Sequence, residues 1–264
     1  MLFANDIVLI NSTKESICTK LELWWKTLES KGFKLNRTKT QCMICKFDNN
    51  NTPDRTDVKL DIQTVPRKSS FKYLGSILQN DGEIDENVSH RIKAGWNKWR
   101  MATGVLCDKQ FPLKLKGKYY RTAIRPAMLY GTECWPVKTR HTHRMRVAEM
   151  RMLRWTCGHT IKDKIRNEVI RQKLDVAPID EKMRERRLQW FGHVKRRPMT
   201  APVRRAETFG SERRRRRGRP KKSWRETVRH DLASLRLRPS LVFDRVEWRR
   251  SIHVSDNVRS GHLG

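Results

Sequence analysis

From Ile84 onward the apolar residues recur every three or four positions, beginning with Ile84, Val88, Ile92, Trp96 and Trp99. That spacing lines them along one stripe of an α-helix, and such a stripe must be buried against another element. The pattern returns over residues 115–129, 137–155, 161–174 and 179–194, with Pro, Gly or polar breaks between the runs. A mostly α-helical region over residues 83–195 is therefore expected.

The residues before it read differently. Apolar arms at residues 2–4 and 7–10 flank Asn5-Asp6, and both of these tolerate the positive φ of a tight hairpin turn. Ser12 with Glu15 three positions on reads as a capping box. Ile17, Leu21, Trp24 and Leu28 then form one helical face, with Trp24 as a core residue, and Gly32 supplies the stop. Short strands are expected at residues 33–35, 41–47 and 71–78, and Val58, Leu60 and Ile62 alternate as a half-buried strand does. Residues 47–57 form a polar loop, and Asn80-Asp81-Gly82 is a turn. The fold class is α+β: short antiparallel strands plus a helix over residues 1–82, followed by the helices.

Charge divides the chain in the same way. Its net charge is +31, yet residues 1–90 hold 13 Lys and Arg against 12 Asp and Glu, and the remainder holds 46 against 16. A surface that basic selects a polyanionic partner. No run approaches the roughly 18 apolar residues that a membrane span requires, so RNA and DNA are the expected partners and no membrane is. Six scattered cysteines fit a reduced nuclear or cytoplasmic setting, the nucleus being favoured.

The charge is densest over residues 195–229, with 15 Lys and Arg against three acids. The linker at 196–223 is expected to be disordered alone, because it has little apolar area to offset its ordering entropy. Its centre reads Arg213, Arg214, Arg215, Arg216 and Arg217, then Gly218, Arg219, Pro220, Lys221 and Lys222. Arg217-Gly218-Arg219-Pro220 is similar to an AT-hook, in which an extended Arg-Gly-Arg-Pro lies in a narrow minor groove. The same run also reads as a sequence-independent phosphate binder or a nuclear-import signal. Weak helices are expected within residues 224–235 and 242–254, in a C-terminal tail over 224–264.

Several separate motifs carry a resemblance. Phe3-Ala4-Asn5-Asp6, Leu28-Glu29-Ser30-Lys31-Gly32-Phe33 and Phe71-Lys72-Tyr73-Leu74-Gly75-Ser76-Ile77-Leu78 resemble consecutive late palm motifs of the reverse transcriptases of non-LTR, RTE-like retrotransposons. Arg125-Pro126-Ala127-Met128-Leu129-Tyr130-Gly131, Arg151-Met152-Leu153-Arg154-Trp155 and Arg187-Leu188-Gln189-Trp190-Phe191-Gly192-His193-Val194 resemble the region after the polymerase core. The resemblance implies a truncated palm, a thumb-like and post-thumb helical region, and RNA-directed DNA synthesis in the parent enzyme.

It also implies what is missing. That chemistry uses two Mg²⁺ ions held by carboxylates. The first aspartate of the family's hairpin maps onto Asn5, which leaves Asp6 as the catalytic and metal-binding remnant, and the palm strand bearing another aspartate has no counterpart here. An amide oxygen is a poor substitute for a carboxylate facing Mg²⁺, so neither productive metal binding nor polymerase activity is expected from this chain alone. By the same resemblance Lys39 lies where a basic side chain approaches the incoming triphosphate, and Phe71, Lys72, Tyr73, Leu74 and Gly75 form the strand-turn that supports the primer end. Two alternatives stand beside this reading: a stand-alone basic nuclear binding protein, and a decayed element without function.

Nine tryptophans and many arginines raise the prospect of a stacking track, although Trp96, Trp99, Trp155 and Trp190 at helical spacing are expected in the core. Cys42-Met43-Ile44-Cys45 has the gap of a zinc-binding arm without a second pair, and Cys157, His159, His141 and His143 suit no common metal site.

Overall fold

The computed structural model describes residues 2–3, 6–45, 57–60, 63–208 and 222–256, and the chain divides into two compact units, Met1–Glu83 and Ile84–Gly264. It is mostly helical, with small antiparallel strand pairs confined to the first unit.

The first unit opens with β1 (Leu2–Phe3) paired to β2 (Asp6–Ile7), in a register that sets Phe3 opposite Asp6. Asp6 is therefore a strand residue, where a turn position was expected, and Asn5 lies outside the described residues. Helix α1 (Lys14–Ser30) is capped by Thr13, whose hydroxyl accepts from the Ser16 amide at 3.3 Å, in place of the expected Ser12. It ends where Gly32 takes φ 82°, which lets the Gly32 and Phe33 amides reach back to the Glu29 and Leu28 carbonyls, both at 3.0 Å. Ile17, Cys18, Leu21 and Trp25 of α1, with Leu35 and Cys42, pack on buried Val58, Leu60 and Val65. Trp25 thus takes the place expected for Trp24, because the buried stripe drifts by one residue along the helix. Three buried aliphatics at about 2 kcal/mol each make a small core.

Strands β3 (Lys59–Leu60) and β4 (Gln63–Thr64) form a second pair, and β5 (Ser70–Tyr73) and β6 (Ser76–Gln79) a third. The run read as one strand at 71–78 is in fact a hairpin. Leu74 at φ 46° and Gly75 at φ 78° supply the two positive-φ positions of a turn that matches strand twist. No strand forms at 33–35 or among the described residues of 41–47; Cys42 instead makes a single parallel bridge with Arg67. The three pairs remain separate. Among the described residues there are short antiparallel pairs and a helix, and no palm fold is identified.

In the second unit α2 (Asp85–Met101), the short α3 (Thr103–Leu106), α4 (Leu113–Tyr119), α5 (Arg125–Leu129), α6 (Thr139–Thr156) and α7 (Asn167–Leu174) enclose one core. Helix α8 (Ile179–Lys195) begins in that core. Between α4 and α5 the chain widens over Tyr120–Ile124, where the Arg125 amide bonds the Tyr120 carbonyl five residues back. The widening has a local cause: Pro126 has no amide hydrogen, and its ring would press on the preceding turn of an ordinary helix. It also turns Tyr120, Ile124, Arg125 and Met128 inward together. Helix α7 starts at Asn167, six residues later than the spacing predicts, because Gly158 and Lys164 both take positive φ ahead of it.

The far half of α8 carries a second core. Leu188 and Phe191 meet Val228 and Leu232 of α10 (Trp224–Ser234), Val242, and Trp248 and Ile252 of α11 (Arg245–Ile252). Trp248 is 1% exposed. These residues are a packed element of the unit, where a weakly helical tail was expected. Part of the expected disordered linker is ordered too: Pro202–Thr208 forms α9, and Glu207 there bonds Lys195 at 2.5 Å and Arg204 at 2.7 Å.

Ion pairs tie the helices together. Glu149 is fully buried; it accepts from Tyr120 Oη at 3.1 Å, Arg171 Nη2 at 2.7 Å and the Ile179 amide at 3.2 Å. Burial raises its pKa in spite of Arg171. Asp256 receives both terminal nitrogens of Arg125, at 2.6 and 2.7 Å, and the Ala177 amide at 3.1 Å. Burial opposes its charge, but Arg125 outweighs that and holds the carboxyl below its usual range. Arg187 Nε meets Asp231 at 2.6 Å in a third buried pair.

At the junction of α2 and α6, buried His141 accepts the Lys138 amide on Nδ1 at 3.2 Å and faces Asp85 through Nε2 at 3.2 Å. Burial outweighs Asp85 and keeps the imidazole pKa below its ordinary value. The neutral ring therefore contributes stability that is full above about pH 6.5, the unfolded value, and declines as pH falls through the lower folded value. The urea midpoint of the helical unit should drop between neutral and mildly acid pH, and His141→Asn should flatten that segment. An equally steep decline in the variant would assign it to other groups.

Candidate nucleic-acid interface

The residues singled out for polymerase chemistry lie on different elements of the first unit. Asp6 opens β2, and Asn5 lies outside the described residues. Lys39 is exposed in a tight turn, where its amide bonds the Asn36 side-chain oxygen at 3.0 Å. Phe71, Lys72 and Tyr73 occupy β5, and Leu74 and Gly75 form the hairpin turn; Lys72 and Leu74 are exposed, and Phe71 and Tyr73 half-buried. Strand alternation explains this split, since successive side chains take opposite faces.

Arg213, Arg214, Arg215, Arg216, Arg217, Gly218, Arg219, Pro220 and Lys221 lie outside the described residues, and Lys222 is half-buried just before the Ser223 cap of α10. Among the described residues no three His, Cys, Asp or Glu side chains are grouped to hold a metal. The thiols are poor ligands besides: burial pushes Cys134 up to about 11 and raises Cys157. His141 is engaged with Asp85, and His159 faces Lys173 at 3.3 Å.

The tryptophans divide between core and surface. Trp96, Trp99 and Trp155 form a triangle of rings 5.4–5.7 Å apart, with Trp99 buried and bonded through Nε1 to the Thr156 hydroxyl at 3.2 Å. Trp155 is 46% exposed, so the expectation that it is a core residue fails on its outer side. Trp190 is only half-buried and stacks on the exposed His193 ring at 5.2 Å and 14°.

That stack borders a feature the sequence did not single out. His193, Arg196 and Arg197, at the end of α8, line a cleft of about 380 Å³ with Arg245, the first residue of α11. Arg196 Nη1 donates to the Val242 carbonyl at 2.8 Å, and Arg197 Nε donates to His193 Nε2 at 3.3 Å. Burial, then the like charges of Arg245 and Arg249, push the Arg196 pKa below the usual guanidinium value. Gly192 makes this convergence possible. A β-carbon there would stand 2.5 Å from Trp248 Nε1 and 3.0 Å from Arg196 Nη1, so glycine lets α11 rest directly on α8. The available signal in sequence was Gly192-His193 within an Arg-rich helix end, but its partner arginines lie some fifty residues later.

No family model matches the chain, and no solved structure does. The chain is similar to a transposon-derived protein of Caenorhabditis elegans, 23% identical over 208 residues that cover 74% of this chain and 71% of the relative.

Proposed function

We propose that this chain is transposon-derived, a segment of a non-LTR retrotransposon reverse transcriptase that binds RNA and DNA through its helical unit and does not polymerise by itself. The observation that carries the binding reading is where the carboxylates go. Glu149, Asp175, Glu185, Glu207, Asp231 and Asp256 are each engaged with a cation inside the unit, at 2.9 Å or less. The twelve other acids of residues 84–264 face about three times as many remaining arginines and lysines, and a large uncompensated positive field draws polyanions. The similarity to a transposon-derived protein supports the origin.

The polymerase motifs supply too little charge for the parent chemistry. Asp6 beside the neutral Asn5 falls short of the carboxylates that hold two magnesium ions. The arginine run at 213–217 fits a nuclear location as well as phosphate binding.

The test is a salt series on the full chain, read by anisotropy of labelled single strands and duplexes. The logarithm of affinity should fall with the logarithm of salt at a slope of about −3 or steeper on a single strand, the value for four or more phosphate contacts. A flat slope would reject the binding reading. Primer extension with Mg²⁺ or Mn²⁺ should give no incorporation; incorporation abolished by Asp6→Ala would restore an active polymerase.

A further inference from the structure

We infer that the cleft between the end of α8 and the start of α11 holds an unpaired nucleotide of a single-stranded nucleic acid, its phosphate on Arg196, Arg245 and Arg249 and its base on the outer face of His193. The assignment rests on the nucleic-acid-binding reading and names the ligand class of one site within it.

Three arguments favour that occupant. First, Arg196 and Arg245 line the same cleft, and Arg245 and Arg249 lie near enough to Arg196 to disfavour its charge. Among the described residues neither Arg245 nor Arg249 is paired with a carboxylate. Arg250, next along α11, does have such a partner in Glu247 at 3.4 Å. Like charges held together without an acid are relieved by an anion, and Arg245 and Arg249, one helical turn apart, present both guanidiniums to the same side.

Second, a planar ring is already stacked at the rim. Trp190 backs His193 at 5.2 Å and 14°, and Arg197 fixes the ring edge from one turn further on. His193 is exposed, so its outer face extends an existing stack by one more flat ring. An inorganic anion has no use for such a platform, whereas an unpaired base does.

Third, a base in a duplex keeps its faces against its neighbours and cannot lie on His193 without being turned out of the helix, which costs a few kcal/mol. A single strand offers phosphate and open base together.

The experiment uses the full chain and four labelled probes: oligo(dT), oligo(U), an abasic strand of equal length, and a duplex. His193→Ala should weaken binding of oligo(dT) or oligo(U) about tenfold and leave the abasic strand and the duplex unchanged. His193→Phe, which keeps a flat ring, should retain the affinity. Arg245→Gln with Arg249→Gln should weaken every probe and lower the single-strand salt slope by about 0.7 per lost contact. Helical circular dichroism and the melting midpoint show that each variant is folded. The two homopolymer arms tell which sugar the site takes, and either satisfies the inference. If wild type binds single strands with a steep salt slope and neither substitution alters it, the cleft is not the site while the binding reading stands. Loss of abasic-strand affinity in His193→Ala would overturn the stacking role. Failure of wild type to bind any probe would overturn both readings.

Discussion

Glu149→Ala should cost the helical unit about 3–5 kcal/mol, enough to bring it close to its unfolding midpoint if its stability lies at the lower end of the usual range. The reason lies in what the substitution leaves behind. Arg171, 5% exposed, would keep its charge without a counter-ion, while Tyr120 Oη and the Ile179 amide would lose their acceptor in a site closed to water. The groups joined at Glu149 come from four separate stretches of the unit, so the loss spreads beyond α6. Tyr120→Phe removes one neutral donor from the same site and should cost only about 1 kcal/mol. Urea unfolding followed by circular dichroism measures both. A Glu149→Ala midpoint as high as that of Tyr120→Phe would show that the buried carboxylate is not holding the helices.

Gly117→Ala is the second large effect. A β-carbon at Gly117 would land on the carbonyl oxygen of Leu174, and a backbone oxygen at the end of α7 has no rotamer into which to retreat. Helices α4 and α7 must then separate, at about 3 kcal/mol or more. Two other glycines calibrate this. At Gly95 the obstruction is Met128 and Met152, flexible side chains that can shift, so Gly95→Ala should cost less. At Gly104 nothing lies within 4 Å, and alanine there should be neutral or stabilise by up to about 1 kcal/mol. Melting midpoints in the order Gly104→Ala, Gly95→Ala, Gly117→Ala from highest to lowest are expected; a Gly117→Ala midpoint at the wild-type value would mean that α4 and α7 are not in backbone contact.

The helices were legible wherever their apolar stripe is long. Helices α2, α6 and α8 begin and end within two residues of the spacing, because each buries one stripe over four or more turns. Short elements were not. Phe71 to Leu78 reads as one β run because its arms and turn are equally apolar, and nothing in leucine announces the positive φ that Leu74 adopts. The C-terminal helices looked weak because their apolar residues are few. Trp248 and Ile252 are nonetheless buried, on a partner, α8, more than fifty residues earlier.

The candidate site shows the same limit more sharply. Counting arginines tells how basic a surface is, but not which arginines reach it: Arg125, Arg171 and Arg187 are buried with carboxylates, whereas Arg245 and Arg249 remain exposed. That sorting is a property of three-dimensional neighbours far apart in sequence. The β character of Phe71 to Tyr73 could be read from local pattern, but the turn at Leu74 and Gly75 could not. The cationic cleft could not, since it exists only once Gly192 has allowed α11 to settle on α8.

The clamp between Arg125 and Asp256 has a bearing on synthesis. A ribosome delivers the guanidinium 131 residues before the carboxylate that neutralises it. Until that late segment has emerged, the nascent helices hold a largely buried guanidinium without its hydrogen-bonded carboxylate, a state that favours loose packing. Closure around this clamp therefore waits for residue 256, and a product that stops short of it leaves Arg125 without its partner carboxylate.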